Sequence, residues 1–126
     1  MADSIGGRDI LGRGRTGSGK TYAFLLPLVT RLSASPGHRR PRCPRALILA
    51  PTRELVAQIE AALAPLARVA GLTSITVFGG VSQQPQVRAL QAGVDVVIAC
   101  PGRLEDLIQQ GVCRLSEVEI LSLIHI

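Results

Sequence analysis

An octapeptide near the amino terminus has the residue types and the spacing that hold phosphate groups. It reads Gly14, Arg15, Thr16, Gly17, Ser18, Gly19, Lys20 and Thr21, which fits G-x-x-x-x-G-K-[ST] at every position. Glycines let successive backbone N–H groups turn towards phosphate oxygens, because no Cβ stands in the way. Lys20 can reach the β- and γ-phosphates, and the Thr21 hydroxyl can ligate Mg²⁺. The pattern therefore predicts an ATP-type phosphate cradle with a magnesium ligand.

The alternative interpretation of this segment is a flexible glycine-rich turn. Lys20 argues against it, because it is the only lysine among the 14 Lys and Arg residues and stands where the cradle needs one. The surroundings also fit, since a predicted strand precedes the loop and a predicted helix follows it. We therefore favour the nucleotide site.

Short apolar runs alternate with helical patterns along the chain, which is typical of βαβ units and a parallel sheet. Strands are predicted at 9–12, 46–50, 73–78 and 94–99, with a fifth beginning at 117–120. Helices are predicted at 20–32, 52–70 and 86–91, with one more opened by Pro101. We expect Thr52 to cap the second helix, Pro65 to kink or interrupt it, and Gly71 to end it.

Composition supports one small α/β domain. The chain has 126 residues, of which 47% are hydrophobic but only 2% aromatic, so the core must be aliphatic, as in sheets buried on both faces. Three cysteines without a CxxC pattern predict neither a disulfide framework nor a zinc site. No signal peptide or membrane-spanning run is evident, and we expect a cytoplasmic protein without membrane contact.

The net charge of +5 makes a polyanion a plausible partner. The alternative is that balancing acidic parts lie outside this sequence. Four arginines at 39, 40, 42 and 45 cluster in a segment rich in proline, which we expect to be a solvated basic loop. An auxiliary contact with RNA is the second interpretation of that cluster.

Three further motifs follow predicted strands. They are Pro51-Thr52-Arg53-Glu54-Leu55, Gly79-Gly80, and Pro101-Gly102-Arg103-Leu104 with Asp106. Each alone could be an ordinary helix entry, a plain turn or a helix start. Together with the octapeptide, and in this order, they resemble the motifs of the DEAD-box ATP-dependent RNA helicases.

The resemblance implies a P-loop NTPase fold, a RecA-like parallel sheet with flanking helices. It implies ATP phosphates and Mg²⁺ at the octapeptide, with Thr21 on the metal. It also implies RNA-backbone contacts, with little base specificity, at Pro51, Thr52, Arg53, Gly79, Gly80, Pro101, Gly102 and Arg103. Each of these follows the carboxyl end of a predicted strand, where open α/β sheets bind ligands.

The sequence also departs from the family pattern. Cys100 stands where threonine is usual before Pro-Gly-Arg, which removes a hydroxyl that could cap a helix or bond RNA. The Asp-Glu-Ala-Asp motif, implied at the end of the fifth strand, is absent, because Ile120 is followed by Leu-Ser-Leu-Ile-His-Ile. Hydrolysis needs such acids to hold Mg²⁺ and orient water.

We therefore assign no catalytic residue and expect a fragment that is inactive alone. Residues 1–120 are expected to be a partial RecA-like ATP-binding domain, truncated before the acidic-motif strand is complete, and 121–126 a non-native tail. Two alternatives stay open. One is another P-loop nucleic-acid-dependent ATPase, such as a DNA helicase, or a transporter ATPase; the other is a non-enzymatic nucleic-acid-binding remnant.

Overall fold

The structure is a computed structural model that describes residues 8–12, 23–34 and 39–124. At residues 8–12 it describes only the backbone. These residues form five strands and four helices in the order expected for βαβ units. The strands are β1 (Arg8–Gly12), β2 (Ala46–Leu49), β3 (Ser74–Val77), β4 (Val96–Ala99) and β5 (Ile120–Ile124). The helices are α1 (Leu25–Ala34), α2 (Arg53–Ala70), α3 (Gln84–Ala92) and α4 (Pro101–Gln109).

All five strands pair in parallel in one sheet, in the order β1-β5-β2-β4-β3. Leu49 of β2 lies opposite Ala99 of β4, and Ala99 lies opposite Val77 of β3. Three neighbouring strands therefore finish at one level. The connections that leave them must meet at the same edge of the sheet.

Alternate strand residues pack into two aliphatic cores, one on each face of the sheet. Ile48, Val96 and Ile98 belong to the core beneath α1 and α2. Leu47, Val97 and Ala99 belong to the core beneath α3 and α4. This is the α/β architecture predicted from the aliphatic composition, with helices covering both faces. No helix in the described part of the chain is long and apolar enough to span a membrane.

Helix α2 begins and ends at the predicted signals. The Thr52 Oγ1 accepts the Leu55 N–H at 3.1 Å, and Gly71 follows the helix in the left-handed conformation with φ +74°. The prediction that Pro65 interrupts the helix is wrong, because α2 continues through it. Pro65 is exposed, while Leu63 and Ala67 on either side of it are buried and anchor the helix to the core.

The fifth strand lies in the interior of the sheet, between β1 and β2, and begins later than predicted. Glu117 is in a turn, and pairing starts at Ile120 and continues to Ile124. Residues 121–124 therefore belong to a strand of five described residues that pairs with β1 and β2. The proposed foreign origin of residues 121–126 stays a prediction. The fully buried hydroxyl of Ser122 has no hydrogen-bond partner among the described residues.

The prediction of a solvated basic loop is wrong for Arg45, which is 4% exposed. Its Nε donates to Glu119 Oε2 at 3.1 Å, and its Nη1 lies 3.8 Å from Asp95 Oδ1. Arg39 Nε donates to the other Asp95 oxygen at 2.9 Å. A carboxylate and a guanidinium buried side by side require each other, since either alone would be a desolvated charge.

This network lies at the amino edge of the sheet, where β2, β4 and β5 begin. Arg45 and Asp95 directly precede β2 and β4, and Glu119 directly precedes β5. The motif-bearing loops are at the opposite edge, so the geometry favours a structural role for Arg39 and Arg45 over contact with an RNA bound there. Arg40 pairs with Glu117 at 3.1 Å in solvent.

Replacing the buried arginine should cost far more stability than replacing its exposed neighbour. We expect Arg45→Met to lower the free energy of unfolding by about 3 kcal/mol, because the Leu32 carbonyl would lose a buried donor and Asp95 would keep only Arg39 as a counter-charge. Arg40→Met, the matched control at an exposed pair, should cost at most about 1 kcal/mol. Urea denaturation followed by circular dichroism measures both. Equal losses in the two variants would show that the buried network does not stabilise the amino edge.

Candidate nucleic-acid interface

The three loops predicted to contact RNA meet at the carboxyl edge of the sheet. They follow β2, β4 and β3, which are adjacent in the sheet and end at one level. Two backbone hydrogen bonds continue the ladders into these loops, from Ala50 N to Ala99 O at 3.0 Å and from Cys100 N to Val77 O at 2.8 Å. The loops therefore start from a rigid platform.

Arg53, in the first turn of α2, joins the loop after β2 to the loop after β3. Its guanidinium carbon lies 5.1 Å from the centre of the Phe78 ring, within the range of a cation–π contact. Gly80 has φ +82°, and a Cβ built there would come within 3.0 Å of Arg53 Nη1. The positive φ favours glycine at this position, whereas the close approach involves the end of a flexible side chain that could move by a few tenths of an ångström. An exposed cation is thus held against a turn that leaves its backbone open.

Arg103, in the first turn of α4, joins the loop after β4 to the same turn. Its Nη2 donates to the Val81 carbonyl at 2.8 Å, and its Nη1 donates to Gln86 Oε1 at 3.0 Å. Gln86 Nε2 in turn donates to the Phe78 carbonyl at 3.1 Å. The turn at Gly79-Gly80 is therefore hydrogen-bonded on both sides.

Helices α2 and α4 both have their amino termini at this edge, since they follow the carboxyl ends of β2 and β4 within a few residues. Unpaired backbone N–H groups at a helix start favour anions. Thr52 caps α2, whereas Cys100 at the start of α4 makes no side-chain cap. The loss of a capping hydroxyl expected from the cysteine is confirmed.

The Cys100 thiol is half-buried, and burial raises its pKa above the usual value, with the Arg53 charge acting in the opposite direction. A raised pKa keeps the thiol protonated at neutral pH. Cys100 therefore adds no negative charge that would repel phosphate. Burial likewise raises the pKa of Cys113 to about 11, in the core beneath α3 and α4.

The predicted phosphate cradle at residues 14–21 lies outside the described residues. Strand β1, which leads into it, ends at Gly12 opposite Ile124, the last residue of β5. An apolar hollow of about 210 Å³ lies at this end of β2 and β5, lined by Leu49, Ala50, Pro51, Pro101, Leu123 and Ile124. None of these six side chains can ligate Mg²⁺. Across the described residues, no three His, Cys, Asp or Glu side chains gather to hold a metal.

Comparison with known proteins decides the family. The family model "DEAD/DEAH box helicase" matches residues 1–123. The chain belongs to the DEAD/DEAH box helicase family.

Curated relatives agree with this assignment. The chain is 43% identical over 121 residues to a DEAD-box ATP-dependent RNA helicase 5 of Oryza sativa, covering 94% of this chain and 24% of that protein. It is 48% identical over 120 residues to the ATP-dependent RNA helicase DBP2 of Encephalitozoon cuniculi, covering 95% of this chain and 24% of the relative. The chain thus spans about a quarter of the length of these relatives.

Solved structures give the same result for the fold. The yeast DEAD-box splicing factor Prp28 superposes with a TM-score of 0.78 at 36% identity, covering 92% of this chain and 28% of that one. Prp28 from Chaetomium thermophilum, bound to ADP, gives 0.78 at 42% identity, over 92% of this chain and 28% of that chain. The predicted RecA-like fold and the DEAD-box resemblance are confirmed.

Within this DEAD/DEAH box chain, Gln86 and Phe78 are site residues that the motifs missed. Phe78 was predicted only as a strand residue, although its ring and its carbonyl both contact site residues. A signal for Gln86 was present, because it shares a helix face with Leu90, four positions on, and so occupies a core position. A polar residue on the apolar face of a short helix must find partners, and the sequence does not say which.

A hydroxyl at position 100 should restore the missing helix cap. Because Cys100 has the extended backbone of a capping residue, with φ −86° and ψ 139°, we expect Cys100→Thr to stabilise the chain by about 1 kcal/mol. Cys100→Val, which has the shape of threonine without the oxygen, should give no such gain. Thermal unfolding compares the two. Equal stability of both variants would contradict the capping explanation.

Proposed function

We propose that this chain is the part of an ATP-dependent RNA helicase that binds ATP phosphates and the RNA backbone. The observation that carries the proposal is the meeting of Arg53, Gly80 and Arg103 at one edge of the sheet. These residues come from motifs up to 50 positions apart in the sequence. They lie close together because β2, β4 and β3 end side by side at the same edge of the sheet. The names of the relatives, which are ATP-dependent RNA helicases, support the same activity.

The chemistry of this edge suits phosphate better than base edges. It offers an exposed guanidinium, an open glycine turn and two helix amino termini, all of which bind anions without reading sequence. The hollow of about 250 Å³ beside Arg53 and Phe78 is also lined by Glu54 and Ala57. We propose single-stranded RNA lying across the three loops, held through its phosphates.

The nucleotide half of the proposal rests on the octapeptide. In our proposal, Gly17 to Lys20 would hold the phosphates of ATP, and Thr21 would ligate Mg²⁺, which neutralises phosphate charge. This segment follows β1 in the sequence, and β1 ends at the carboxyl edge of the sheet, where open α/β sheets bind ligands. Binding of ADP by a relative of the same fold supports this half as well.

We further propose that this chain binds its ligands without hydrolysing ATP. The strand that should end in an acidic pair ends in Ile124, which is 5% exposed and apolar. An aliphatic side chain can neither hold Mg²⁺ nor orient water. Acids at this position would be needed to hold Mg²⁺ and to orient the attacking water.

Arg53 should contribute one phosphate contact. We expect Arg53→Met to weaken binding of a labelled oligouridine and to make the plot of log K against log salt shallower by about 0.7, the value for one contact on a single strand. Arg68→Met is the matched control, because this exposed arginine is in the last turn of the same helix. Fluorescence anisotropy at several salt concentrations measures both. The RNA site is refuted if the two variants bind alike.

Lys20 should decide nucleotide affinity, although no turnover is expected. Labelled ATP with Mg²⁺ should bind the chain and lose affinity in Lys20→Ala, whereas Arg31→Ala, at a basic residue of α1, should bind as the parent does. A phosphate-release assay with RNA should show no stimulation in any of the three. Unchanged affinity in Lys20→Ala would remove the nucleotide site, and RNA-stimulated release that depends on Lys20 would overturn the inactive state.

A further inference from the structure

We propose that Gln86 is a positioning residue that sets the conformation of the phosphate-binding turn without touching RNA. This inference rests on the proposed binding of a nucleic-acid backbone at the carboxyl edge. It adds a residue that belongs to none of the motifs above. It also changes the part assigned to Arg103, which becomes a brace for the turn rather than a direct contact.

The first support is the burial of Gln86 and the use of both ends of its amide. The side chain is 5% exposed, on the face of α3 that packs against the sheet. Its Nε2 donates to the Phe78 carbonyl, and its Oε1 accepts from Arg103. Only the amide nitrogen can face a carbonyl, and only the oxygen can face a guanidinium, so the two partners fix the orientation of the amide.

The second support is the closed path of hydrogen bonds around the glycines. Phe78 directly precedes Gly79, and Val81 directly follows Gly80. The Phe78 carbonyl is held by Gln86 and the Val81 carbonyl by Arg103, while Gln86 and Arg103 bond to each other. We call these four residues, Phe78, Val81, Gln86 and Arg103, with the three hydrogen bonds between them, the clamp. It brackets the Gly79-Gly80 turn at both ends.

The third support is the tight fit of Arg53 against the turn. Its Nη1 lies where a Cβ of Gly80 would be only 3.0 Å away, and its guanidinium covers Phe78. A turn that shifts therefore alters both contacts of Arg53. Gln86 thereby controls the placement of Arg53, an exposed guanidinium that lies against the Phe78 ring.

The clamp gives Arg103 a geometric task that lysine cannot perform. The planar guanidinium donates to Gln86 and to Val81 at once, in a fixed fork. A lysine would keep the positive charge but would not span both acceptors. A brace and a direct phosphate contact therefore differ in their response to Arg103→Lys.

The test measures binding of a labelled oligouridine to the whole chain by fluorescence anisotropy. We expect Gln86→Met, which keeps the length but removes both hydrogen-bonding groups, to weaken binding about tenfold, as for the loss of a hydrogen bond to a charged group. The salt slope should change by less than the value of about 0.7 expected for Arg53→Met, because Arg53 is displaced rather than removed. Gln91→Met, at an exposed glutamine of the same helix, is the matched control and should bind as the parent does.

A double-mutant comparison separates positioning from general stability. Arg103→Lys should weaken binding about as much as Gln86→Met, and the double variant should bind no worse than either, since each breaks the same clamp. Losses that add, or an Arg103→Lys chain that binds as the parent does, would overturn the inference.

Amide hydrogen exchange of the segment 78–82 gives a readout that does not depend on RNA. Exchange should be faster in folded Gln86→Met and Arg103→Lys than in Gln91→Met, and unchanged exchange would overturn the clamp. If Gln86→Met fails to fold, Arg103→Lys carries both measurements. RNA binding that depends on Arg53 but not on Gln86 would refute this inference alone, whereas a parent chain that does not bind RNA would refute the proposed function.

Discussion

Parallel pairing in one register is the constraint on which the candidate site depends. Because Leu49, Ala99 and Val77 lie side by side, the loops that follow β2, β4 and β3 start at the same level. A shift of one residue in any strand would move its apolar residues to the opposite core. The two aliphatic cores therefore hold the register, and the register holds the binding edge. Packing on both faces of the sheet is in this way the origin of the site geometry.

The two edges of the sheet use arginine in opposite ways. At the amino edge, Arg45 is buried between Asp95 and Glu119, so its charge is paired with carboxylates inside the fold. At the carboxyl edge, Arg53 is exposed over an aromatic ring and available to an anion. Net charge alone therefore says little about where a polyanion binds. The densest run of arginines in the sequence belongs largely to the structural edge.

Local signals were predicted well, and partnerships between distant residues were not. The Thr52 cap and the Gly71 stop depend on neighbours within a few positions, and both are confirmed. Arg45 and Glu119 are 74 positions apart, and no pattern in the sequence predicts that they pair. Gln86 and Arg103 are 17 positions apart, on different helices. The motifs identified the loops of the site because family resemblance supplied them, but the residue that joins two loops lies outside every motif.

Strand β5 has the residues that the fold requires but lacks the acidic residues that ATP hydrolysis requires. A central strand needs alternating residues that bury well, and Ile120 and Ile124 meet that need. Ser122 is the exception, with a buried hydroxyl that lacks a partner among the described residues, a local cost of about 1–3 kcal/mol. Hydrolysis needs an acid at the carboxyl end, where packing favours an aliphatic side chain. A chain can therefore keep the sheet, the register and the binding edge while its strand end carries no group that could hold magnesium.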